Sequence, residues 1–152
     1  APYGFSHTAI GAFGLVGAAG ALAATGAGRL ADRGLERPVT LAALLVLLLA
    51  WLPLALMPVS LWALVIGIVL LDLGGQAIHV TNQGMIFRTA SEAHNRLVGA
   101  YMLFYAVGSS LGAMASTQVY AHAGWSGVCL LGGGISLTAL WFWAATRRVG
   151  EG

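Results

Sequence analysis

The stretch "PVTLAALLVLLLAWLPLALMPVSLWALVIGIVLL", residues 38–71, carries no charged side chain. A helix crosses a bilayer with about 20 consecutive apolar residues, so this run is long enough for more than one crossing. Pro53 and Pro58 divide it, and proline breaks a helix because it lacks a backbone N–H and its ring clashes with the preceding turn. The run therefore predicts two membrane-spanning helices that are joined near the prolines.

The composition extends this prediction to the rest of the chain. Of its 152 residues, 59% are hydrophobic and only 8% are charged, and the mean hydropathy is +0.85. Further uncharged runs cover residues 1–28, 73–87 and 97–146. A soluble domain has no need of such runs, so the sequence predicts an all-α, polytopic membrane helix bundle whose partner is the lipid bilayer.

Breaks between the apolar runs predict five spans within one partial transmembrane domain that covers residues 1–152. The predicted spans are residues 8–28, 38–52, 60–87, 97–120 and 125–146. The last two are separated by the turn "HAGW" at 122–125. An odd number of crossings puts the two termini on opposite sides, and the chain starts without a signal sequence, so we expect upstream helices to be missing.

The positive charge follows the predicted loops. All seven basic residues are arginines, and they fall between the first and second spans, between the third and fourth, and in the tail: Arg29, Arg33, Arg37, Arg88, Arg96, Arg147 and Arg148. Cytoplasmic loops are enriched in arginine and lysine, so this end, with the C-terminus, is predicted to be cytoplasmic, most simply at a bacterial inner (plasma) membrane. The distribution argues against a nucleic-acid partner despite a pI near 9.1.

Polar residues interrupt the third span within "LLDLGGQAIHVTNQG", residues 70–84. On an α-helix, Asp72, Gln76, His79 and Gln83 fall within about 60 degrees of one another, which is one narrow face. An aspartate near the bilayer midplane costs roughly 2.5–3.5 kcal/mol on insertion scales, so this face is predicted to line a cavity or the bundle interior. Such a carboxyl group suits proton coupling; the alternative is a purely structural hydrogen-bond network.

The fourth span supplies two more candidates for the cavity lining. Tyr101 and Tyr105 lie one turn apart, on its polar and aromatic side. Simple core packing is the alternative for either residue. The sequence contains no H-E-x-x-H, C-x-x-C, G-x-S-x-G or P-loop motif, and it has a single cysteine. We therefore predict no catalytic residue, no metal site and no cofactor.

One segment between the first and second spans carries a family resemblance. "GRLADRGLER", residues 28–37, resembles the signature loop G-x-L-A-D-R-x-G-R-R of the major facilitator superfamily. The matching residues are Gly28, Leu30, Ala31, Asp32, Arg33 and Arg37. Leu35 and Glu36 depart from the pattern, and Gly34 lies one position earlier than the glycine of the family. "SEAHNRLVGAYMLFYAVGSSLG", residues 91–112, is similar to the "PE-x-R-x-R"-like loop and the helix that follows it in this family.

The resemblance implies the C-terminal half of a drug or sugar efflux permease, with the five spans as helices 8 to 12 of twelve and the N-terminal half of the same transporter as a missing partner. It implies two halves that rock around a midplane site. Gly28, Asp32, Arg33 and Arg37 would form a cytoplasmic gate, with Asp32 meeting a helix N-terminus of the other half.

The predicted function is secondary active transport, most simply proton-coupled export of small organic molecules by alternating access. A non-transporting receptor or scaffold on the same fold is the first alternative, since fold alone does not fix function. A membrane enzyme that uses Asp72 and His79 is the second. The identity of the substrate, the coupling ion and the direction of transport stay open at this point.

Overall fold

The computed structural model describes residues 4, 6–89 and 91–149, without the side chains at positions 9, 12, 13, 91, 148 and 149. The described elements are α1 (His7–Asp32), α2 (Glu36–Ala55), α3 (Leu61–Phe87), a 3₁₀ turn (Ser91–Ala93) and α4 (His94–Val149). No strand occurs within the described residues. The predicted all-α helix bundle is confirmed. Ala1, Pro2 and Tyr3, where the chain begins, lie outside the described residues.

Helix α4 consists of two arms that meet at Gly124. This residue has φ 62° and ψ −159°, a non-helical backbone conformation that residues with a Cβ rarely adopt. We call residues 94–123 arm α4a and residues 125–149 arm α4b. The sequence predicted a turn at residues 122–125 between two spans. Gly124, with its positive φ, lies within these residues.

Side-chain contacts give the direction of each element. His79 of α3 contacts Tyr101 of α4a, and Phe87 contacts His94 further along, so α3 and α4a are antiparallel. A Cβ at Gly67 would overlap Leu54, and one at Gly74 would meet Leu47, so α2 and α3 are antiparallel as well.

Two tryptophans dock α4b on α2. The Trp125 indole N–H donates to the carbonyl of Leu54 at 2.7 Å, in the last turn of α2. The Trp51 indole N–H donates to the Ser136 hydroxyl at 3.0 Å. A Cβ at Gly132 would overlap the Trp51 ring, so this glycine admits the indole. The later residue of α4b thus contacts the earlier residue of α2, so the two helices are antiparallel. The chain therefore reverses its direction at Gly124, between α4a and α4b.

The alternating directions bring the charged segments to one end of the bundle. The end of α1, the start of α2, the end of α3, the start of α4a and the end of α4b all lie there. This end carries the described arginine side chains, Arg29, Arg33, Arg37, Arg88, Arg96 and Arg147. We refer to it as the arginine end. The opposite end carries the α2–α3 turn and Gly124.

The helix bounds differ from the predicted spans mainly at their ends. Helix α2 contains Pro53 and stops only after Ala55, whereas the sequence placed its end near Leu52. Proline lacks a backbone N–H and its ring crowds the preceding turn, and α2 ends two residues after Pro53. Helix α1 continues through the Asp32 position to the arginine end.

Three described helices are long and apolar enough to cross a membrane: Glu36–Ala55, Leu61–Phe87 and the stretch His94–Arg147. Large apolar side chains lie exposed on several faces, among them Leu22 at 77%, Phe104 at 77% and Leu130 at 78%. Such faces suit a lipid environment or further helices. The chain is an integral membrane protein.

Candidate functional site

The polar face of α3 opens onto a cavity of about 290 Å³ that it shares with α4a. The lining residues are Leu71, Asp72, Gly75, Gln76, His79 and Tyr105. Four predicted candidates, three from the stripe and one tyrosine, thus lie around one space. Gln83 is half-buried two turns away from Gln76 and does not line this cavity. We call the space lined by these residues the α3 cavity.

Asp72 lies where α3 crosses α1. Its Oδ2 atom is buried and has no hydrogen-bond partner among the described residues. A Cβ built at Gly20 of α1 would overlap the Asp72 carboxylate, so the missing side chain of Gly20 makes the space that the carboxylate occupies. An unpaired buried carboxylate is costly in its charged form.

His79 lies between the two tyrosines of α4a. Its Nδ1 is 2.9 Å from the Tyr101 hydroxyl, and the donor of this hydrogen bond depends on the tautomer of the imidazole. The His79 ring centroid lies 5.5 Å from that of Tyr101 and 5.1 Å from that of Tyr105. The imidazole is therefore held in position by one hydrogen bond and by aromatic contacts on both tyrosines.

The signature-like segment closes α1 with a regular glycine turn. Gly34 has φ 79°, the Gly34 N–H donates to the Ala31 carbonyl at 2.9 Å, and the Leu35 N–H donates to the Leu30 carbonyl at 3.1 Å. These are the two hydrogen bonds of a Schellman motif. The glycine that comes one position early therefore ends the helix directly after Asp32 and Arg33.

The predicted gate residues do not cluster within this chain. Asp32 and Arg33 are exposed, and neither has an ion-pair partner among the described residues. Gly28 instead packs against Val80 of α3. A Cβ added at Gly28 would lie 3.3 Å from Cγ1 of Val80. Arg37 lies on the first turn of α2 and points toward the end of α4b.

Comparisons with known proteins identify the family of the chain. The family model described as Major Facilitator Superfamily matches residues 1–151. The chain belongs to the Major Facilitator Superfamily. It is 46% identical over 117 residues to the "Uncharacterized transporter YgaY" of Escherichia coli O157:H7. The same values hold for YgaY of Escherichia coli strain K12, which is also named as an uncharacterized transporter.

These relatives are much longer than the aligned region. The alignment covers 77% of this chain and 30% of each relative. No solved structure matches the chain significantly. The matched region thus spans less than a third of the length of these two relatives.

Sequence reasoning missed several residues that make notable contacts in the structure or are fully buried there. Asn82 interacts with the Tyr101 hydroxyl from one turn beyond His79. Thr81 is fully buried, and its hydroxyl has no partner among the described residues. In the sequence, Gly20 is the last of four glycines that recur at every third position. Nothing in one sequence shows which of those glycines meets another helix.

Arg88 is a further missed residue, since the sequence used it only for orientation. Its Nη1 donates to the Ala31 carbonyl at 2.9 Å and lies 3.5 Å from Glu36 Oε2. Ala31 belongs to the last turn of α1, and its carbonyl accepts from Arg88 in addition to the Gly34 N–H of the closing turn. Arg88 thereby joins the end of α3 to the end of α1 and the start of α2.

Proposed function

We propose that this chain is part of a secondary active transporter that exports small organic molecules in exchange for protons. The α3 cavity would belong to its translocation path. The observation that carries the proposal is the Asp72 carboxyl group, which faces the cavity and has a buried, unpartnered oxygen. Ionisable groups inside membrane spans are rare, and they commonly mark ion and substrate paths.

Asp72 is the proposed proton carrier. Its Oδ2 atom is buried and has no hydrogen-bond partner among the described residues, and burial without such a partner disfavours a charged group. Protonation from one side and release to the other would therefore be coupled to a change in the surroundings of the carboxyl group. Gly20 of α1 is the part of those surroundings that contacts it, so a shift of α1 against α3 would alter its environment.

His79, Gln76 and the tyrosines are the proposed substrate-contacting groups. An imidazole, an amide and a phenol around a cavity of about 290 Å³ provide hydrogen-bond donors, acceptors and aromatic faces. Binding sites for small molecules typically combine apolar walls with a few such polar groups. Leu71 and Gly75 supply the apolar wall of the α3 cavity.

The signature-like segment is the proposed cytoplasmic gate, with Asp32, Arg33 and Arg37 as its charged residues. Asp32 is exposed at the end of α1 and has no partner among the described residues, so its carboxylate is available to a group outside this chain. A helix N-terminus of an N-terminal half would be such a group, since its partial positive charge favours a carboxylate. That half is the proposed partner.

Flux measurements on the complete gene product in proteoliposomes test this function. A panel of small organic cations, neutral amphiphiles and sugars is loaded, and efflux is followed with and without an imposed pH gradient. We expect at least one compound to move faster when the gradient drives protons inward. Facilitated flux at the same rate with and without the pH gradient would contradict proton coupling. If no compound is transported although at least one binds specifically, the result would favour a receptor.

A further inference from the structure

Tyr101 of α4a contacts two polar side chains of α3 beside the α3 cavity. Its hydroxyl lies 2.9 Å from His79 Nδ1, and the Asn82 side chain interacts with the same hydroxyl. His79 and Asn82 are three residues apart, so they occupy neighbouring positions on one side of the helix. The Tyr101 hydroxyl is therefore shared between an imidazole and an amide.

The chemistry of phenol and imidazole favours one direction for the hydrogen bond between Tyr101 and His79. A tyrosine hydroxyl donates one proton and also accepts, whereas a neutral imidazole has one N–H and one nitrogen that accepts. The lone pair of that nitrogen lies in the ring plane and is fully available, whereas the phenol oxygen shares its electrons with the aromatic ring. The O–H group is therefore the better donor and the imidazole nitrogen the better acceptor.

Asn82 is compatible with this direction. An amide N–H that donates to the Tyr101 oxygen leaves the hydroxyl proton for His79 Nδ1. In the opposite arrangement the hydroxyl proton goes to the amide oxygen, and Nδ1 must donate to the phenol oxygen, which is the weaker acceptor. The first arrangement satisfies all three groups and uses the stronger pair between Tyr101 and His79.

The second ring nitrogen of His79 is the one available to the α3 cavity. Nε2 lies at the tip of the imidazole, and His79 is half-buried and lines the cavity. The hydrogen bond of His79 to a described residue runs through Nδ1. Among the described residues, the buried side-chain atoms without a partner are Asp72 Oδ2 and Thr81 Oγ1, so Nε2 is not enclosed in the same way. With Nδ1 as the acceptor, the imidazole proton is on Nε2.

We propose that Tyr101 is a positioning residue whose hydroxyl donates to Nδ1 and fixes His79 as the neutral tautomer with its proton on Nε2. A ligand of the α3 cavity then places a hydrogen-bond acceptor, such as a carbonyl oxygen, against this N–H. Gln76 both donates and accepts, so it does not impose this selection. The assignment of the ligand group rests on the proposed function, whereas the tautomer does not.

Solid-state NMR of the complete gene product, with isotope-labelled histidine in proteoliposomes, tests the tautomer. The signals of His79 are identified by their loss in His79→Gln, and the protonated ring nitrogen by its directly bonded hydrogen. We expect the proton on Nε2 in the wild type. Tyr101→Phe keeps the ring and removes the hydroxyl, and it should lower the ratio of the Nε2–H to the Nδ1–H tautomer about fivefold, the effect of one ordinary hydrogen bond.

Tyr105→Phe is the matched control. Its ring centroid lies 5.1 Å from that of His79, but the described hydrogen bond of the imidazole goes to Tyr101. The control should keep the wild-type ratio of tautomers. A wild-type proton on Nδ1, protonation of both nitrogens at neutral pH, or equal ratios in the two variants would overturn the positioning role.

Cyclohexanone and methylenecyclohexane test the ligand group, because they share one shape and differ in the acceptor oxygen. We expect the Nε2 signal of His79 to shift with cyclohexanone and to stay unchanged with methylenecyclohexane. Equal shifts, or no shift with either compound, would overturn the acceptor assignment. The NMR signal does not depend on flux, so a shift with cyclohexanone in a protein that transports no compound would reject the transport function and leave this inference standing.

Discussion

At the scale of single residues, the central contact is the one between Asp72 and Gly20. Gly11, Gly14, Gly17 and Gly20 recur at every third position of α1, and the structure distinguishes among them. A Cβ would meet nothing within 4 Å at the first three, and it would overlap the Asp72 carboxylate at Gly20. The glycine of α1 and the carboxylate of α3 are thus closely packed against each other.

Gly20→Ala tests that unit. The added methyl group must displace the Asp72 carboxyl, and overpacking of this kind costs about 1–3 kcal/mol in the free energy of unfolding. We also expect slower proton-driven efflux, because the carboxyl leaves its position. Unfolding in detergent and flux in proteoliposomes are the measurements.

Gly17→Ala is the control, since the same methyl group meets no other atom there. It should keep wild-type flux and lose no stability. Equal behaviour of the two variants would contradict a specific contact between Gly20 and Asp72.

The hydrogen bond between His79 and Tyr101 is the second contact at this scale. Tyr101→Phe removes a hydroxyl that lies 2.9 Å from His79 Nδ1 and should lower the free energy of unfolding by about 1 kcal/mol. Tyr105→Phe removes a hydroxyl while keeping the ring contact with His79, and it should cost less.

A double-mutant cycle with His79→Ala checks the assignment. Coupling of about 0.5 kcal/mol or more is expected for Tyr101→Phe and a smaller value for Tyr105→Phe. The reverse order would show that the Tyr105 hydroxyl, rather than the Tyr101 hydroxyl, is coupled to the imidazole.

At the scale of helices, Gly124 decides whether α4 is one rod or a hairpin. Its φ of 62° and ψ of −159° reverse the chain so that α4b can pack on α2. Gly124→Ala should therefore destabilise the protein by about 1–3 kcal/mol, the usual cost of such a conformation for a residue with a Cβ. Unfolding in detergent measures this.

Gly133→Ala, within α4b, is the matched control, because it has no left-handed φ and a Cβ there meets nothing within 4 Å. It should leave stability unchanged or slightly raised, since alanine favours helix more than glycine does. Loss of stability in this control comparable to that of Gly124→Ala would argue against a special role for the reversal.

The helices themselves were largely predictable, because apolar runs, prolines and the "HAGW" turn are local signals. The pairing of side chains between helices was not. Periodicity placed Asp72, Gln76 and His79 on one face of α3, but it could not show that Tyr101 and Asn82 meet beside His79. Such pairing depends on the rotation and the neighbours of each helix, which one sequence does not encode locally.

At the scale of the whole molecule, Arg88 ties the arginine end together through the Ala31 carbonyl and Glu36. Its side chain is partly exposed, so the ion pair itself contributes little. Arg88→Gln should lower the free energy of unfolding by about 0.5–1 kcal/mol, mainly through the carbonyl at the end of α1. Arg96→Gln, an exposed arginine at the same end, should have no measurable effect. Equal effects would contradict the bridging role.

The most direct test of the central claim compares two transport modes of Asp72→Asn in the complete gene product. We predict that this variant still exchanges labelled for unlabelled substrate across proteoliposomes without a gradient, because the cavity keeps its shape, but loses efflux driven by a pH gradient. Glu92→Gln, which neutralises an exposed carboxylate outside the cavity, should retain both modes. Full proton-driven efflux by Asp72→Asn would contradict the account.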